Sequence, residues 1–226
     1  MTSQSQTLTG NGQAQSPGDA SAQWHQPLHP ITKFMLVLAG LWLIVGGLGV
    51  ALNAYGAPNS EPPRLLMGTI MAPTFFILLS YGLSKGFRDW VAGLDRALLT
   101  VMHATRTIGF AFIVMWYYGT VTAVFAFSAG LGDIIVAVLA PFVALAVARN
   151  KPGALKLATR LHIAGMLDFF IAAGLGASAL GVPADQMGQI DQINIFPLAI
   201  IPAMGVPILM ALHVLAFLRL RTARLT

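Results

Sequence analysis

The chain contains no cysteine, which excludes disulfides, iron–sulfur clusters and thiolate metal sites together. Histidine and carboxylate remain as the good metal or haem ligands, with methionine a weak third. Charge is nearly as scarce: 9% of the 226 residues are Asp, Glu, Lys or Arg, against about a quarter in a soluble domain. A surface so poor in charge cannot be hydrated all round, which excludes a water-soluble fold. No HExxH, nucleophile–base triad, phosphate-cradling glycine loop or dinucleotide fingerprint occurs, so no particular enzyme chemistry is indicated. The formal charge of +5 comes without an aromatic-interleaved basic patch, which removes nucleic acid from the possible partners.

What the chain does have is apolar length. Runs of eighteen or more apolar residues match a hydrocarbon core roughly 30 Å thick, and 56% of the chain is hydrophobic. The expected fold is an all-α, polytopic integral membrane bundle, with the lipid bilayer as its main partner. Six spans are placed at roughly 31–54, 65–84, 97–118, 129–148, 158–180 and 196–218. Residues 1–26 precede them as a Gly/Ser/Gln-rich polar tail expected to be disordered, so the transmembrane domain is assigned to 27–226. The tail lacks the basic start of a secretory signal, and no cleavage is expected. Trp24, His25 and His29 read as an interfacial approach to the first span. "GFRDWVAGLDRALL" before the third span reads as an amphipathic interfacial helix.

Six spans bring both termini to one side. Of the thirteen Lys and Arg residues, Arg64 alone flanks the opposite face and Arg106 lies inside a span, while all others flank the termini's face. The positive-inside rule therefore makes both termini cytoplasmic, as expected of a bacterial cytoplasmic (inner) membrane protein.

Function has to be sought in the residues that break the apolar rule. Arg106 lies roughly 12–15 Å deep on the third span, and Asp168 lies at a similar level on the fifth. An unpaired charge at that depth costs several kcal/mol, so the two are expected either to pair across helices or to be satisfied separately, Arg106 by snorkelling toward the interface. Gly165, Asp168 and Ala172 share one helical stripe of small residues, which turns Asp168 toward protein. Asp133 follows "FSAGLG" where the fourth span begins. It reads first as an acid complementing the helix dipole and second as an ion or solute site.

His103, His162 and His213 all belong to the cytoplasmic half of their spans. Such a layer could hold a metal ion, clamp haem b between two imidazoles, or relay protons. Pro197, Pro202 and Pro207 in the sixth span are expected to start it and then kink or break it, and carriers build substrate sites from broken helices.

Three readings remain open. One is a carrier or permeation protein for a small solute or protons, with Arg106, Asp168, His103 and Asp133 as its site. The second is a redox membrane subunit holding haem b or a metal on His103, His162 and His213 and exchanging electrons with quinone. The third is a non-catalytic accessory subunit, a homo-oligomer or part of a membrane complex.

Overall fold

A computed structural model describes residues 27–55, 64–177 and 196–222. The polar tail, with Trp24 and His25, lies outside the described residues. All regular structure among those described is helical. Six helical rods are long and apolar enough to cross a membrane: Pro30–Ala51, Arg64–Leu83, Arg96–Tyr117, Ala123–Ala148, Ala154–Leu175 and Ile201–Thr222.

The first two rods are α1 (Pro30–Ala51) and α2 (Arg64–Leu83). Pro30 occupies the first turn of α1, where its missing N–H costs nothing, and His29 Nδ1 accepts from the Ile31 amide at 3.2 Å. The interfacial segment forms the separate short helix α3 (Lys85–Gly93), capped by Ser84, with Phe87, Trp90 and Val91 turned inward. Trp90 Nε1 donates to Thr32 Oγ1 at 2.8 Å, tying α3 to α1.

The third rod changes winding twice. α4 (Arg96–Val101) passes into a 3-10 segment, Met102–Gly109, and then into α5 (Phe110–Tyr117). Asp95 starts the rod by accepting from the Ala97 and Leu98 amides, which is the usual work of an N-cap acid. Next come α6 (Ala123–Ala148) and α7 (Ala154–Ala177). The sixth rod opens with a π turn, Ile201–Gly205, and continues as α8 (Val206–Thr222).

α6 is the central post. It packs along the whole third rod and against α7, while α8 packs on α2, α3, α4 and α7. α1 is held chiefly by the π turn, where Gly46 sits so close that an added Cβ would meet the Ala203 carbonyl oxygen at 3.1 Å. Large apolar side chains such as Leu41, Leu79, Phe142 and Phe170 point outward, a belt suited to acyl chains rather than water.

Two expectations need correcting. α6 starts at Ala123, not near 129, because Thr122 Oγ1 accepts from the Phe125 amide and caps it there. The sixth rod is not broken between Ile201 and Thr222, and the expected distortion takes the form of the π turn Ile201–Gly205 around Pro202. Pro197 lies in the turn before it, and Pro202 and Pro207 lie in the π turn and the first turn of α8. Pro202 stands in the first turn, where its missing N–H is tolerated, and the π winding ahead of Pro207 accommodates the second.

Candidate functional site

The 3-10 winding of the third rod is what assembles the site. With three residues per turn, side chains at i and i+3 eclipse. His103, Arg106 and Gly109, the buried residues of the 3-10 segment, therefore lie on one line. Thr100 extends it at one end and Phe112 and Met115 at the other, all buried. An ideal α-helix would turn such a period-three stripe by about 60° at every step, carrying His103 and Arg106 away from a common neighbour.

Arg106 is fully buried, and its guanidinium is held on nearly every side. Nε donates to Asp133 Oδ1 at 2.6 Å. Nη2 donates to Asp168 Oδ2 in a short charge-assisted bond. Nη1 donates to the Gly165 carbonyl oxygen and to His213 Nε2, each at 3.0 Å. The Phe169 ring lies 3.9 Å from the guanidinium carbon, a cation–π contact that desolvation strengthens. Four of the five N–H donors thus have acceptors, drawn from α6, α7 and α8. The expected pairing of Arg106 with Asp168 is present.

Asp133 is a second partner, not a helix-end acid. With α6 beginning at Ala123, Asp133 falls in the third turn, roughly 15 Å along the axis, level with Arg106. The dipole argument fails at that depth, since the effect is confined to the first turn.

Glycines make the approach possible. A Cβ on Gly165 would lie 2.6 Å from the His213 ring and 2.7 Å from Arg106 Nη1. One on Gly132 would overlap the Asp168 carboxylate, and one on Gly109 would collide with Asp133 and with the Gly130 carbonyl oxygen. Small residues at helix crossings are how apolar bundles bring backbones together, and here they leave space that one arginine and two carboxylates fill.

The three histidines meet, one each from the third rod, α7 and α8, and all are fully buried. One ring nitrogen of each lies within 4.8 Å of the others. His103 stacks on His213 with centroids 3.7 Å apart and an interplanar angle of 17°. His162 Nδ1 and His213 Nδ1 face each other at 2.9 Å. His162 Nε2 faces Thr100 Oγ1 at 3.4 Å, and Thr100 Oγ1 donates to the Arg96 carbonyl oxygen at 2.7 Å.

The proton positions follow by elimination. Guanidinium can only donate, so His213 Nε2 must accept and a neutral His213 carries its proton on Nδ1. That proton points at His162 Nδ1, so His162 carries its own on Nε2, toward Thr100. The donors run one way: Arg106, His213, His162, Thr100, Arg96 carbonyl. Among the described residues neither nitrogen of His103 has a hydrogen-bond partner, which is uncommon for a buried imidazole.

Chemically, this core offers three neutral imidazole donors suited to zinc, copper, nickel or iron, or a file of exchangeable protons ending on a charged triad. His103 stacks on His213, His213 bonds to His162, and the His103 and His162 rings meet edge-on with centroids 5.1 Å apart, which leaves no gap for a porphyrin plane between any two of them in this arrangement. Sequence reasoning missed Thr100 and Phe169 and the roles of Gly109, Gly130 and Gly132. The pattern Thr100, His103, Arg106, Gly109 carried the signal, as a strict period of three in a rod assumed to be α-helical.

Six apolar rods around a buried Arg–Asp–His core define an all-helical bundle of membrane-spanning proportions. The chain belongs to the family described as a domain of unknown function (DUF8737), whose model matches residues 62–221. That stretch includes every residue of the buried core and excludes α1. No curated protein and no solved structure matches the chain.

Proposed function

We propose that the chain is a carrier that moves protons across the inner membrane, with its basic end in the cytoplasm. Protons pass from His213 Nδ1 to His162 Nδ1 and leave from His162 Nε2 at Thr100. Asp168 and Asp133 form the far station. Arg106 stands between the two stations and does not release a proton in proteins, so a proton passes only when its guanidinium swings aside. When the guanidinium leaves Asp168, the carboxylate is freed to take a proton or a cationic solute. Binding and release alternate with that movement, as carrier mechanisms at a buried site require. The observation that carries this reading is the unbroken buried file Asp168–Arg106–His213–His162–Thr100. An accessory subunit would need polar residues only for helix register, not donors aligned in one direction.

Vesicles reconstituted with the protein and loaded with a pH-sensitive dye test it under a potassium diffusion potential. The wild type is expected to acidify them faster than protein-free vesicles. His162→Asn, which keeps hydrogen-bonding capacity but cannot relay a ring proton, is expected to lose most of that flux with helical content unchanged. Equal flux from the wild type and from empty vesicles refutes the reading.

A second reading, a metal centre on His103, His162 and His213, is favoured by the unpartnered nitrogens of His103. Binding would require His162 and His213 to exchange their mutual bond for the ion. Elemental analysis of protein purified after growth with added zinc or copper decides it: stoichiometric metal, lost in His103→Ala, supports it, and metal-free protein refutes it.

A further inference from the structure

A cavity of about 730 Å³ opens at the basic end of the bundle, between the start of α4, the end of α6 and the start of α7. Its wall carries four cationic side chains, Arg96, Lys151, Lys156 and Arg160, and no carboxylate. None of the four is in an ion pair among the described residues, where both salt bridges belong to Arg106. The loop between α6 and α7 bends through Asn150 at φ 48° and Gly153 at φ +77°. Val147, Ala154 and Leu155 give the lining an apolar part. Four unpaired cations around one hollow repel one another unless an anion sits among them. The first turn of α7 adds its positive dipole end on the same side.

We infer that this cavity binds an anionic phosphate group, carried by a phospholipid headgroup or free in solution. The cations recognise the phosphate, and the apolar lining residues Val147, Ala154 and Leu155 suit the first carbons of an acyl chain. Basic hollows between helices at a membrane face are suited to anionic headgroups. The site also touches the buried file: Arg96 lines the cavity, and its carbonyl oxygen accepts a hydrogen bond from Thr100 Oγ1. A bound phosphate would therefore stand at the mouth of the histidine chain. The inference rests on the cavity and its charges and holds whether or not the chain moves protons.

The test uses the full-length protein in a neutral detergent, titrated at fixed ionic strength with short-chain phosphatidylglycerol, matching phosphatidylcholine, or inorganic phosphate. Thermal unfolding is the readout. The melting temperature is expected to rise with phosphatidylglycerol and not with phosphatidylcholine. A cation near an anionic surface is worth about a fivefold gain in affinity. The variant Lys151→Gln/Lys156→Gln/Arg160→Gln should therefore bind roughly a hundredfold more weakly. All three side chains are exposed, so the variant keeps the fold. Lys33→Gln/Lys85→Gln removes two exposed cations outside the cavity and should leave the affinity unchanged. A rise with phosphatidylglycerol alone identifies a lipid headgroup, and an equal rise with inorganic phosphate identifies the free anion. Equal shifts with both lipids and none with phosphate, a shift retained in the triple variant, or an equal loss in the control variant each overturn the inference.

Discussion

Replacing Arg106 by leucine should be the most damaging single change in the bundle, for a reason that can be counted. The buried core holds one guanidinium against two carboxylates. Asp133→Asn or Asp168→Asn leaves one cation facing one anion, with an amide oxygen still able to accept. The loss is then the difference between a charged and a neutral hydrogen bond, about 1–2 kcal/mol. Arg106→Leu leaves both carboxylates buried, mutually repelling and without a donor, which costs about 3–5 kcal/mol. The informative variant is the triple Arg106→Leu/Asp133→Asn/Asp168→Asn. Independent losses would add to roughly 5–9 kcal/mol. If the three residues act as one unit, the triple variant should instead be more stable than Arg106→Leu alone, because nothing charged remains buried. Denaturant unfolding in detergent micelles, followed by helical circular dichroism, measures all four variants. An Arg106→Leu loss no larger than that of either Asn variant, with additive behaviour in the triple, would refute the shared core.

Gly165→Ala should cost about 1–3 kcal/mol from overpacking and abolish proton flux, since its methyl displaces the His213 ring or the Arg106 guanidinium; unfolding and vesicle acidification report the two effects. Thr122→Ala should lose about 1 kcal/mol as the α6 cap goes while flux stays intact, and an equal loss of flux would tie the cap to the site. Thr100→Val keeps the buried shape but removes the hydroxyl facing His162, so proton flux should fall about tenfold or more with stability changed by about 1 kcal/mol; unchanged flux would place the proton exit elsewhere.

Much of this architecture was legible because composition constrains it so strongly. Apolar runs located all six rods, and the depths of Arg106 and Asp168 anticipated a pair that the bundle forms. The level of the three histidines was also readable, though not that their helices adjoin. Asp133 was misplaced for an instructive reason. Gly130 and Gly132 look like a turn in sequence, yet both lie inside α6, where small size serves helix contact with Gly109 and Asp168. In a bundle without a hydrophobic drive between helices, glycine marks packing as readily as turning, and the helix start was written instead in Thr122. The prolines of the sixth rod distort its winding without breaking it, as the π turn at Ile201–Gly205 shows. The 3-10 winding was the hardest feature to foresee. It depends on neighbours that reward a period-three stripe, and the sequence of the third rod alone does not name them.

The account stands on the direction of the hydrogen bonds from Arg106 to Thr100, and nitrogen-15 magnetic resonance of imidazole-labelled protein in lipid reads that direction. It should find His213 protonated on Nδ1, His162 protonated on Nε2, and a scalar coupling across their facing Nδ1 atoms, with the coupling lost in Arg106→Leu. Both rings in the same tautomer, or no coupling between them, would contradict it.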